Sequence, residues 1–254
     1  MYIMCIIMMF IIGAVFGSFF NVVGYRLPKE ESIVSPPSHC SNCKKRLKWY
    51  ELIPIVSYLI QGGKCRKCKV KIKAASPLYE AACGLLFVLA FVSFEFDPKI
   101  IIALTFISVL LIIMVSDYHY MIIPDEVLIV GGILIAGEIF VISGYQEMVT
   151  ALGNGVLAFF TMWAIKKLGD FMFKKDSMGG GDIKLMFLFG LVLSYPISII
   201  SIFIASIIGL PVSLISMKKN KSHEIPFGPF LAIGAIVLLL FQIDFSTILN
   251  WYNI

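Results

Sequence analysis

Ile183–Ser216 reads IKLMFLFGLVLSYPISIISIFIASIIGLPVSLIS, 34 residues in which Lys184 is the sole charge. A membrane helix needs ~20 mostly apolar residues, so the run is too long for one span and suits two short ones. Pro196 offers the break, since proline has no N–H to give to the preceding turn. Reading outward, apolar spans fall at 2–22, 77–94, 100–116, 127–143 and 149–165, then 183–195, 197–216 and 230–249. The composition agrees: 254 residues, 59% hydrophobic and only 15% charged, with mean hydropathy +0.92. A soluble domain carries ~25% charged residues. Eight spans consume ~160 residues, which leaves loops but no room for another soluble domain of ordinary size. The fold class expected is therefore all-α, polytopic and membrane-embedded, with no evident internal repeat or long linker.

Charge tests the count, because Lys and Arg collect in short cytoplasmic loops. Twelve of the 21 basic residues lie between Arg26 and Lys73. Lys166, Lys167, Lys174 and Lys175 form a second group, Lys184 follows, three more lie in 218–221, and Lys99 stands apart. With eight spans, loops 23–76, 117–126, 166–182 and 217–229 share one side, which holds 20 of the 21. Seven spans break that pattern. The shared side is read as cytoplasmic and both termini as outside. The first span lacks a basic residue ahead of it and a small-residue cleavage site after it, so it reads as a permanent helix.

The one large loop carries Cys40-Ser41-Asn42-Cys43 and Cys65-Arg66-Lys67-Cys68. Two such pairs can meet around one zinc ion, and four thiolates close its shell, which makes the site structural rather than hydrolytic. Two disulfides are the alternative, disfavoured in a reducing cytoplasm. His39 reads as a bystander, and Cys5 and Cys83 as small core residues. The loop's basic charge fits anionic headgroups; nucleic acid is not expected as a partner.

Two carboxylates sit at span ends on the same side. Asp117 closes the third span, and the following stretch to Pro124-Asp125 has no Lys or Arg as a partner. Asp182 opens the sixth after Gly179-Gly180-Gly181. A carboxylate at bilayer depth costs ~2.5–3.5 kcal/mol and usually marks function. Side by side, two carboxylates share one proton, so one deprotonates water while the other protonates a scissile carbonyl. The alternative is a pair of interfacial helix-ending residues; the Gly-x-Gly-Asp string favours catalysis. Other chemistries lack their residues: His223-Glu224 has Phe227 where a zinc protease of the HExxH type has its second histidine. Glu138 and Asp244 lie inside spans without evident partners, and Gly13-x-x-x-Gly17 reads as a helix-packing motif.

These strings, in this order, resemble the type IV prepilin peptidases, membrane aspartic proteases of the prepilin leader peptidase/N-methyltransferase family. The resemblance runs through Gly17-Ser18-Phe19-Phe20-Asn21-Val22, Arg26-Leu27-Pro28, the two cysteine pairs, Trp49 to Pro54 and Pro77-Leu78-Tyr79-Glu80. It continues through Asp117, Pro124-Asp125, Gly179 to Leu185 and Ile225 to Phe230. It implies Asp117 and Asp182 as the catalytic pair, with Asp125 the second choice, read as shaping the loop after Pro124; Gly179–Gly181, which let backbone approach without a Cβ in the way, belong to the same active-site loop. It further implies cleavage of the basic leader of prepilins or pseudopilins at the cytoplasmic face of a bacterial inner membrane. Methylation of the new N-terminus with S-adenosylmethionine, and zinc in the tetracysteine insertion, follow from it too. Its division is a first membrane helix (1–24), a methylation-associated cytoplasmic loop (25–76) and a seven-helix peptidase domain (77–254). One departure is Ala75-Ser76, where the family often has Arg-Tyr. No methyl-donor motif is readable in the residues themselves, so methylation rests on the resemblance. The rival readings are a peptidase without methyl transfer, a transporter whose acids bind ions, and a scaffold of a pilus or secretion machine.

Overall fold

The computed structural model describes residues 1–174, 176, 178–219 and 226–243, with the backbone alone for 216–219. His223, Glu224, Ile225 and Asp244 lie outside the described residues, as does the end of the span expected at 230–249. The chain divides into two compact units, Met1–Glu95 and Phe96–Ile254. Among the described residues there is no strand, only helices and two isolated bridges.

In the first unit, α1 (Tyr2–Arg26) and α3 (Ala75–Phe94) pack along their length, with the one-turn α2 (Val56–Ile60) in the connection between them. Arg26 ends α1 because Leu27-Pro28-Lys29 tightens into a 3₁₀ turn that Glu30 closes at φ 58°. The close approach runs through Gly13 and Gly17: a Cβ on Gly17 would lie 2.7 Å from Cys83 Cβ, and one on Gly13 2.8 Å from the Cys83 carbonyl. The Gly-x-x-x-Gly string is thus a packing device, and Cys83 is fully buried in the contact it makes. Cys5 is only half-buried.

The connection holds a duplication that the sequence reading passed over. Ser38–Lys48 and Gly63–Lys73 fold alike, 25 positions apart. Lys44 and Lys69 both take left-handed φ, 55° and 57°. Their N–H groups donate to the Cys40 and Cys65 carbonyls at 3.0 and 2.9 Å. The Cys40 and Cys65 N–H groups reach the Lys45 and Val70 carbonyls at 3.0 and 2.9 Å, and bridges His39–Arg46 and Lys64–Lys71 complete each turn. Between residues 27 and 74 only Glu51 and Cys65 are buried, so no apolar core holds this segment.

The second unit contains α4 (Ile100–Tyr120), α5 (Asp125–Ser143), α6 (Tyr145–Phe173), α7 (Gly180–Leu193), α8 (Tyr195–Lys219) and α9 (Gly228–Leu240). Their order matches the expected spans. Among the described residues six helices, α1, α3, α4, α5, α6 and α8, are long and apolar enough to cross a membrane. At the places of the other two expected spans, α7 and α9 are shorter. At 14 residues α7 rises only ~21 Å, yet Leu185, Met186 and Phe189 are fully buried because α5, α6, α8 and α9 surround it. The break in the 34-residue run falls at Ser194, φ 67°, two residues before the expected place. Pro196 instead sits in the first turn of α8, where its missing N–H costs nothing. Glu138 has a partner after all: the Thr105 hydroxyl on α4 donates to it at 2.7 Å.

Candidate active site and metal centre

Asp117 lies in the last turn of α4 and is buried at 6% exposure. The helix stops because Met121 takes a left-handed φ of 55° while its N–H bonds back to the Asp117 carbonyl at 2.9 Å. The chain then turns through Ile122-Ile123-Pro124, with the Ser116 hydroxyl donating to the Ile122 carbonyl at 2.5 Å. Pro124 sets the extended N-cap of α5 (φ −66°, ψ 128°).

Asp182 stands in the first turn of α7 and is buried at 8% exposure. There the partial positive end of the helix dipole favours an anion. Gly179 is the extended N-cap, and Gly180 and Gly181 begin the helix. Of the three glycines Gly181 is the one held tight: a Cβ there would lie 2.8 Å from Ile123 Cβ, whereas Gly180 has open space.

Ile123 joins the two halves. Its other side faces Gly228, the first residue of α9, whose N–H donates to Asp117 Oδ2 at 3.0 Å. A Cβ on Gly228 would stand 2.6 Å from that oxygen. Both carboxylates therefore sit at helix N-termini, α9 for Asp117 and α7 for Asp182, with Ile123 wedged between the glycines that admit them. Gly228 is the site residue that sequence reasoning did not single out, although its string was noted.

Asp125 does not join the pair. It is half-exposed and binds Lys184 Nζ through both oxygens at 2.7 Å, tying the start of α5 to α7.

In the first unit, all six cysteines are free thiols. The sulfurs of Cys40, Cys43, Cys65 and Cys68 all lie within 4.8 Å of one another, with Cys40–Cys68 at 3.8 Å and Cys43–Cys65 at 4.0 Å. A tetrahedron of sulfurs at 2.3 Å from one metal has edges of ~3.8 Å, so the set can hold a single metal ion. The backbone favours thiolates here. The Cys43 and Asn42 N–H groups lower Cys40, and the Val70 N–H brings Cys68 down to about 6. Although the Lys45 N–H lowers Cys43, burial and the neighbouring sulfurs push it up to about 11. A cation at the centre relieves that crowding of charge. His39 turns away, its ring nitrogen donating to the Pro37 carbonyl at 3.0 Å.

Residues 11–94 match the bacterial peptidase A24 N-terminal domain, and residues 104–214 the type IV leader peptidase family. A prepilin leader peptidase/N-methyltransferase of Bacillus subtilis (strain 168) is 32% identical over 247 residues, covering 96% of each chain. The chain belongs to the type IV leader peptidase family. Proteins of the same description from Pseudomonas aeruginosa and Stutzerimonas stutzeri are 30% and 29% identical, covering 94% and 91% of this chain and 90% and 88% of theirs. No solved structure matches the chain. The family's second match contains both Asp117 and Asp182; its N-terminal match contains all four clustered cysteines.

Proposed function

We propose that this leader peptidase removes the basic leader of type IV prepilins or pseudopilins, with Asp117 and Asp182 as its catalytic pair, and then methylates the new N-terminus. The observation that carries the cleavage reading is the pair itself, buried at two helix N-termini around Ile123. One carboxylate takes a proton from water as the water attacks the scissile carbonyl; the other gives a proton to the carbonyl oxygen. Gly228 N–H and the α9 terminus hold Asp117 in place, and Gly179–Gly181 leave room for a peptide backbone beside Asp182. In this reading 1–24 is a membrane anchor, 25–76 the methylation-associated loop and 77–254 the peptidase domain. The sidedness follows the charge pattern: termini outside, active site and cysteine loop in the cytoplasm of a bacterial inner membrane. The metal of the cysteine set is zinc, on the strength of four sulfur donors and a closed shell. S-adenosylmethionine would supply the methyl group.

The basic leader needs an acidic reception, and the structure narrows the choices. Glu51 is buried against Lys45 Nζ at 3.1 Å, and Asp125 is held by Lys184. Glu30 and Glu31 are exposed.

The test is the mass of a co-expressed prepilin's N-terminus. Leader loss plus one methyl supports both activities; leader loss alone leaves a peptidase; an intact prepilin beside folded enzyme returns the transporter reading. A second expectation concerns Gly228→Ala. Its methyl would meet Asp117 Oδ2, and displacing a reacting group by ~1 Å costs ~100-fold in rate. Cleavage kinetics at unchanged melting temperature measure this, and an unaltered rate would remove Gly228 from the site.

A further inference from the structure

Seven polar or charged side chains are buried among the described residues: Glu51, Glu80, Ser116, Asp117, Asp182, Ser198 and Ser201. Six are accounted for. Glu51 holds Lys45, the three serines bond backbone carbonyls, and the two aspartates form the proposed dyad. Glu80 on α3 remains.

Glu80 is 7% exposed. Its Oε2 accepts the Ile55 N–H at 2.8 Å, and the Ser18 hydroxyl also bonds to it. Both donors are neutral, and among the described residues no cation pairs with it. A carboxylate offers about four lone-pair sites, so acceptor capacity is left over. Ser18 and Asn21 share a face of α1, and Ser76 and Glu80 share a face of α3. Asn21 Nδ2 faces Ser76 Oγ at 3.5 Å. The result is a polar seam between two apolar helices, opening at the end where the cysteine loop is attached. On α1 beside Asn21 lies an open depression lined by Asn21, Val22, Tyr25 and Arg26; Glu80, Ser18 and Ser76 do not line it. Arg26 does not neutralise Glu80, because its guanidinium is committed to the Ser32 and Pro36 carbonyls at 3.0 and 2.8 Å.

We propose that Glu80, at the base of the α1–α3 seam, receives a compact organic cation during methyl transfer. The cation is either the sulfonium of the methyl donor or the N-terminal ammonium of the processed pilin. The inference rests on the methylation reading above. Glu80 supplies the charge; Ser18, Asn21 and Ser76 supply neutral hydrogen bonds around it. Its bond to Ile55, which sits at φ 61°, aligns the loop with the seam but leaves the charge itself unused.

The experiment uses the full-length protein with Glu80→Gln, which retains an acceptor oxygen for Ile55. Metal content of the 40–68 set reports that the first unit is folded. Binding is measured directly for S-adenosylmethionine and for S-adenosylhomocysteine, which lacks the sulfonium charge. If Glu80 meets the sulfonium, the variant loses ~10-fold or more in affinity for the first, as for a hydrogen bond to a charged group, and keeps its affinity for the second. If Glu80 meets the amine, both affinities hold while methylation of processed pilin falls by ~10-fold or more. Glu80→Asp retains the charge and should preserve the preference in either case. Equal loss for both ligands, or unchanged binding and methylation, overturns the proposal. A wild type that cleaves but never methylates overturns the methylation reading itself, and is told apart by the wild-type arm alone.

Discussion

Asp117→Asn and Asp182→Asn each stop leader removal, with the rate down by ~10³-fold or more, while the protein keeps its fold. General acid–base groups contribute ~10²–10⁴-fold each, and members of one catalytic unit are not additive. The double variant should therefore be little worse than either single one. Asn is close to isosteric with Asp, retains an oxygen for the Gly228 N–H and is favoured near helix N-termini, so thermal unfolding should shift by a few degrees at most. Asp125→Asn is the contrast. Its bond to Lys184 is half-exposed on both sides, and such pairs are worth ~0–1 kcal/mol, so cleavage should change only a few-fold. Initial rates on a purified prepilin, with melting curves beside them, separate these outcomes. A single Asn variant that cleaves at the wild-type rate would sink the dyad.

The order of the helices was legible because each is an apolar run bounded by charge, and α7 and α8 came from resolving a single 34-residue run. The ends were less so. Expected at 149–165, α6 continues to Phe173 because Lys166 and Asp170 form an i,i+4 pair at 3.1 Å that carries the helix past its apolar part. Pro196 marked the wrong residue of the break, since proline is at home in a first turn and Ser194 takes the left-handed φ instead. The loop duplication was readable in principle: Cys40, Cys43, Lys44, Leu47 and Lys48 recur as Cys65, Cys68, Lys69, Ile72 and Lys73. One copy repeated once gives too weak a period to stand out. Long-range partners carried no linear signal at all. Nothing near Asp117 announces that the N–H of Gly228, 111 positions on, will reach its oxygen. Likewise nothing near Asp125 announces that Lys184, 59 positions on, will close over it.

Replacing Cys40 or Cys68 by Ser should empty the metal site and unfold residues 38–73. The segment has almost nothing else to hold it: Trp49 is 77% exposed, Leu59 and Ile60 are each 69% exposed, and only Glu51 and Cys65 are buried. Segments this small rarely supply a sufficient core and depend on a staple. Structural zinc in comparable sites contributes ~10–16 kcal/mol of apparent binding free energy at neutral pH, more than any other contact visible in the loop. Acid should act as the mutation does. The Val70 N–H holds the Cys68 thiol at about 6, well below its ordinary value. The thiolate's contribution is thus complete in alkaline solution and lost as pH falls through about 6, when protons displace the metal. Elemental analysis should find one zinc per wild-type chain at neutral pH and a steep loss below pH ~6. Limited proteolysis should cut 38–73 only when the metal is gone. The dyad lies in the other compact unit, so metal loss should cost methylation far more than leader removal. Wild type purified without zinc yet resistant in 38–73 would mean that the two matched turns stand on their hydrogen bonds alone.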